Sequence, residues 1–275
     1  MRPYTTPPNI DTIEAGVTAP LVAKIFDRNN NWLRTYENIA VSTPLISWSI
    51  SRVSGPGTAD TLATRKGHIT SFSPTRAYNT YLITAQFSDG VRNLTAQVQI
   101  YVKPSVAHHL VIEGTSNITG SALVSDQPLD VIEFGAKDTV KTAFAILRDR
   151  FGNFVSHSTS TNWFTLDSLI AKAKEGTALV GEGKVTRIDS LGRTKGVAVN
   201  RQNSTLRDTV EIVLSKFSID SLRIVVLDSI KISSLTMRSD EDTILQVQGK
   251  RSFDGMWVPV SGNWYYTTTN GEALT

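Results

Sequence analysis

Apolar and polar residues alternate with period two along most of this chain, which is the mark of strands with one buried face. In Ile46-Ser47-Trp48-Ser49-Ile50 the isoleucines and the tryptophan share one face and the serines the other. Similar alternation runs through residues 95–102, 184–188, 196–199 and 209–214, and more loosely through 21–26, 78–87, 129–134 and 142–147. Breakers such as Gly55-Pro56-Gly57 and the hairpin signal Ser88-Asp89-Gly90 punctuate the runs. Short strands at intervals of about ten residues predict an all-β protein built of sandwiches. Two segments depart from that pattern. Residues 1–16 carry three prolines, Pro3, Pro7 and Pro8, and are expected to form an extended lead-in with little order. Residues 169–176 are expected to hold a helical turn or two, capped by Gly176.

One polar turn recurs. Asp27-Arg28-Asn29-Asn30-Asn31-Trp32-Leu33 matches Asp149-Arg150-Phe151-Gly152-Asn153-Phe154-Val155 without a gap, and Arg251 to Val258 is a looser third copy. Each copy follows an alternating run and precedes a tryptophan, at Trp48, Trp163 and Trp264. Leu110 and Leu222 open equivalent runs 112 residues apart, and Tyr101 and Val213 close equivalent runs at the same spacing. The chain therefore reads as a tandem array of one module. Its expected parts are the lead-in 1–16, a sandwich over 17–104, a second over 105–217 and part of a third over 218–275. Half a sandwich leaves an apolar face and strand edges in water. The polypeptide is accordingly expected to continue past Thr275, or a partner strand to complete the last module.

The Asp149, Gly152 and Asn153 turn, the Ile46-Ser47-Trp48-Ser49 strand and the run from Gly67 to Phe72 before Tyr81-Leu82-Ile83 together resemble tandem bacterial immunoglobulin-like (Big-type) domains of surface proteins. Asn30 stands where that family usually has Gly, and the third copy keeps little beyond the order of its parts. The resemblance spans about residues 17–267. It implies immunoglobulin-like sandwiches acting as a non-catalytic spacer, adhesion or presentation module, extracellular or at the cell surface. The alternatives are a carbohydrate- or protein-binding module, or an accessory region of a larger exported enzyme. The implied partners are neighbouring domains of a longer chain, and beyond them a surface glycan or protein.

Composition adds limits. The 275 residues hold 28 Lys and Arg against 25 Asp and Glu, a net charge of +3, and the basic residues are scattered, so nucleic acid is not the expected partner. No run is apolar and long enough to insert in a membrane as a helix. There is no cysteine, which fits a bacterial exported protein better than a secreted eukaryotic one.

Candidate chemistry centres on the turns. Asp and Asn side chains bond nearby main-chain N–H groups, and Gly or Asn tolerates positive φ, so a structural role accounts for Asp149, Gly152 and Asn153. The other reading is calcium, for which Asp27, Asn29, Asn31, Asp149 and Asn153 offer oxygen ligands; each turn brings only one carboxylate. No other cofactor is expected. Trp48, Trp163 and Trp264 are expected as pillars between sheets. Trp32, Phe154 and Trp257, at the turn exits, are expected to be partly exposed and are the candidate ligand contacts, able to stack on a sugar ring. The acidic run Asp240-Glu241-Asp242 reads as a solvated loop, and the adjacent His108 and His109 point to opposite faces, a poor metal clamp. No hydrolase elbow, metalloprotease helix or phosphate loop is present, and no catalytic residue is assigned.

Overall fold

A computed structural model of the chain describes residues 10–33, 46–56, 60–188, 191–216, 218–226, 230–231 and 244–261. Among them every regular element is a strand except one 3-10 turn at Gly120–Leu123. The all-β reading of the alternation therefore holds.

The first sandwich is made by β1 (Ile10–Glu14), β2 (Ala19–Val22), β3 (Ile46–Ser54), β4 (Ile69–Phe72), β5 (Asn79–Ser88) and β6 (Asn93–Lys103). One sheet runs β1-β6-β5-β3, and β2 pairs with β4 as the second layer. Alternation in β5 sends Tyr81, Ile83, Ala85 and Phe87 inward, where they meet Trp48, Phe72, Ile100 and Val102. The Trp48 indole N–H donates to Gly67 O at 2.7 Å. The lead-in expectation fails for its last residues. β1 pairs in parallel with β6, Ile13 opposite Val102, and Ala15 is buried in the core. That pairing joins residues nearly a whole sandwich apart in sequence, so no local pattern announces it.

The second sandwich comprises β7 (His109–Glu113), β8 (Val131–Phe134), β9 (Val140–Arg148), β10 (Phe154–His157), β11 (Thr161–Thr165), β12 (Ala171–Glu175), β13 (Glu182–Arg187), β14 (Gly192–Asn200) and β15 (Arg207–Leu214). One sheet places β9 between β7 on one edge and β10 and β13 on the other, with β12 beyond β13; the facing sheet runs β11-β14-β15-β8. Leu110, Ile112, Phe134, Trp163, Val185 and Ile212 fill the space between. Trp48 and Trp163 belong to separate cores. The expected helical turn at 169–176 is instead β12. Ala171-Lys172-Ala173-Lys174-Glu175 is made of helix formers, but pairing with β13 buries Ala171 and leaves Lys172 and Lys174 out, so the alternation overrides the propensity.

A third sheet, in the order β17-β16-β18-β19, is built from β16 (Ile219–Val226), β17 (Ile230–Lys231), β18 (Leu245–Arg251) and β19 (Trp257–Pro259). Trp264 and the acidic run 240–242 lie outside the described residues.

One ion pair sits wholly inside the second sandwich. Arg148 Nε donates to Glu113 Oε1 at 2.6 Å with both side chains fully buried. Arg148 Nη1 also donates to Ala122 O at 2.9 Å and to Gly152 O at 2.7 Å. The guanidinium thus ties β7, the 114–128 loop and the turn after β9 together.

Candidate functional site: the turns that join the sandwiches

The first two copies of the recurring turn have the same internal wiring. In the first, Asp27 N–H donates to Asn31 O at 2.9 Å and Asn30 N–H to Asp27 O at 3.2 Å. Asp27 Oδ1 accepts from the main-chain N–H of Asn29 and of Asn31, each at 2.8 Å, and Asn31 Nδ2 donates to Asp27 Oδ2 at 3.0 Å. In the second, Asp149 accepts in the same way from Phe151 N–H at 2.9 Å and from Asn153 N–H at 3.0 Å, and Asn153 Nδ2 donates to it at 2.9 Å. Asn30 and Gly152 both take the left-handed conformation, at φ 66° and 83°. Asn serves there because its short side chain tolerates that region. The third copy is one residue longer. Arg251 N–H donates to Met256 O at 2.8 Å, Gly255 takes φ 70°, and the Arg251–Asp254 ion pair staples the loop.

What differs is the surroundings. Asn31 is exposed, whereas Asp149 and Asn153 are fully buried, because the second turn is seated in the end of the first sandwich. Ala77 N–H donates to Asn153 Oδ1 at 3.0 Å, and Asn153 Nδ2 donates to Thr75 O at 2.8 Å. Tyr78 OH donates to Phe154 O at 2.6 Å, and Ser105 N–H to Asp149 Oδ2 at 3.1 Å. The Phe151 ring packs against the core of the first sandwich. The third turn meets the second sandwich at the corresponding end. Ser252 Oγ donates to Ala136 O at 3.0 Å, and Phe253 is buried under the Arg187 guanidinium, 4.7 Å from its ring centre. Arg187 itself is held by the carbonyls of Gly135 and Ser215.

Two residues of the first sandwich shape this joint. Gly16, at φ +83°, leaves room for the plug: a Cβ there would lie 2.5 Å from Phe151 Cε2 and from Arg150 Nη2. Gly16→Ala is therefore expected to push Phe151 outward and to lower the stability of the joined pair by about 1–3 kcal/mol, through the clash and the disfavoured φ together; equilibrium denaturation of the variant checks it. Tyr78 also has positive φ, 62°, where a bulky residue is strained, and it is the residue whose hydroxyl crosses the joint. Burial, reinforced by Tyr101 and Asp149, pushes that hydroxyl above the ordinary phenol range. A raised folded value means its contribution is complete below the unfolded pKa near ~10 and is lost as pH rises through the folded one. The joint should accordingly loosen at strongly alkaline pH. Tyr78→Phe should remove that part of the pH dependence, seen as tyrosinate absorbance and melting temperature followed together.

The residues singled out for calcium thus divide between two turns, and their carboxylates serve as acceptors for their own neighbours' N–H groups. The hydrogen bonds from Asn31, with that from Asn29, hold the Asp27 carboxyl below the usual carboxylate range. Among the described residues no three His, Asp or Glu side chains converge as a metal site. The candidate ligand aromatics are half-buried at the turn exits. Trp32 lies under the Lys24 ammonium at 4.3 Å, Trp257 under the Arg223 guanidinium at 4.4 Å, and Phe154 stands edge-on to His157 at 5.3 Å. Sequence reasoning missed Gly16, Ala77, Tyr78, Phe151 and Phe253. The one available signal was an aromatic inside the turn in copies two and three, where copy one has Asn29.

No family model matches the chain, and no curated protein matches it. Among solved structures, the Escherichia coli adhesin FdeC is 12% identical, with 90% of this chain and 72% of that one covered, at a TM-score of 0.38. The human CDH23 fragment EC21-23 is 14% identical over 90% of this chain and 84% of that one, also at 0.38. Domains 5-6 of the S-layer protein SbsC are 11% identical over 75% and 94%, at 0.30. Likenesses this distant bear on neither ligand nor partner.

Proposed function

We propose that the chain is a non-catalytic structural segment of an extracellular or cell-surface protein. Its modules, residues 10–104, 105–217 and 218 onward, would be locked end to end so that the array holds its distal parts at a set distance. The observation that carries this reading is that the same turn is seated twice in the end of the preceding sandwich, once through Asn153 and once through Ser252 and Phe253. Flexibly linked domains need no such seat; a stiff spacer does, because relative domain motion is otherwise the default. The second sandwich donates the plug and also receives one, so the arrangement is head-to-tail and can be extended by repetition. Small-angle X-ray scattering tests the proposal. The intact chain should give a narrow distance distribution, and Asn153→Ala should broaden it. Equal flexibility in both would remove the spacer reading.

A further inference from the structure

The second sandwich is entered through two strands in series. β8 pairs in parallel with the last strand, β15, as β1 does with β6 in the first sandwich. Ahead of β8 the chain forms β7, which pairs with β9 at five positions, and then a strap, residues 114–130, whose 3-10 turn buries no residue. The strap lies over the outer face of β7 and β9. Leu110, Ile112, Ala143 and Ala145 enter the core, so by alternation Val111, Phe144 and Ile146 point away from it, yet all three are buried. Arg148 Nη1 donates to Ala122 O at 2.9 Å, His157 Nε2 lies 2.9 Å from Ser116 O, and Asp126 Oδ1 would lie 3.4 Å from a Cβ on Gly152.

A spacer fixed at both ends carries tension along its length. The pull enters this sandwich at His109, beside the joint, and leaves at Leu214, beside Phe134 at the far end. It draws β7 along its own axis, across hydrogen bonds that run perpendicular to the strand, and so loads the five pairs together. The exit strand is gripped better, since β15 pairs with β14 at eight positions and with β8 at four. β7 is therefore the weaker hold, and β8 is loaded only after β7 has slid and the strap has straightened. β7 cannot slide alone. Its movement carries the first sandwich off the turn at 149–153, and Arg148 holds both that turn, through Gly152 O, and β7, through Glu113.

We infer, on the spacer reading, that the second sandwich is a force-released reserve of length. Tension unseats the joint, withdraws β7 from β9 and straightens the strap in one step, after which the parallel β8–β15 pair carries the load. Leu110 and Ile112 leave the core in that step, while Phe134, Trp163, Val185 and Ile212 stay packed. Residues 109–130 extend by ~3.3–3.6 Å each, so the step lengthens the chain by roughly 60–75 Å.

Single-molecule stretching of the full chain, held at its two ends, tests this. A step of that length is expected before the second sandwich unfolds as a whole. Inserting six Gly and Ser residues between Asn117 and Ile118, next to the exposed Asn117, should add roughly 20 Å to that step and leave its force unchanged. Tryptophan fluorescence confirms that the insertion variant is folded. Asn153→Ala should lower the force of the same step and of no other. The inference is overturned if the sandwich unfolds all at once, or if the inserted length appears only when the whole sandwich unfolds. Scattering from the unloaded chain judges the spacer reading separately.

Discussion

Asn153→Ala uncouples the first two sandwiches: calorimetry should show their unfolding drawn apart, and the joined pair should lose about 2–4 kcal/mol. The magnitude follows from what the side chain leaves behind. Ala77 N–H and Thr75 O lose their partner across the joint, and the Asp149 carboxylate loses the Asn153 amide. Unpaired polar groups kept from water cost about 1–3 kcal/mol each, and partial hydration of the opened joint lowers the total. Asn31→Ala is the internal control. The turn is the same and so is the amide-to-carboxylate bond, but the site is exposed, so the expected cost is below about 1 kcal/mol. Equal effects at the two positions would mean that the turn's own wiring, and not its seat, is what matters.

The second large effect is expected at Glu113. Glu113→Ala strands the Arg148 guanidinium without its counter-charge in a site that excludes solvent. Breaking one side of a buried pair typically costs ~3–5 kcal/mol. Urea denaturation followed through Trp163 should show the midpoint fall with the slope unchanged. Replacing both partners, Glu113→Leu with Arg148→Met, should recover most of the loss, since an apolar pair needs no hydration. Recovery should be incomplete, because Arg148 also holds Ala122 O and Gly152 O. The double variant should therefore show a second defect in the turn that enters the joint.

Much of the fold is written locally. Alternation marks strands because side-chain direction has period two, and the turns announce themselves because each Asp accepts from main-chain N–H groups two and four residues on and Asn30 or Gly152 takes the left-handed conformation. Trp48 and Trp163 fall in their cores for the same reason. What stays hidden are contacts between distant residues with no paired side-chain signature. Asn153 meets a carbonyl and an amide more than seventy residues away, and any sequence supplies those groups. β1 eluded the pattern because its partner is the last strand of the same sandwich. β12 eluded it because alanine and lysine favour helix in isolation, while the sheet rewards only their alternation. The joint was half visible in Phe151 and Phe253, apolar residues at the tips of polar turns, which had no local reason to be there.

Asn153 and Ser252 grip peptide groups, so at those contacts the neighbouring module is recognised by the course of its backbone, while Gly16, Tyr78 and Arg187 are the few positions where the receiving side chain matters. The side chains at Thr75 and Ala136 are free to vary without unseating anything. Modules can then be duplicated, shuffled or diversified on their flanks while the couplings stay standard, which is the property that lets such a string grow by copying.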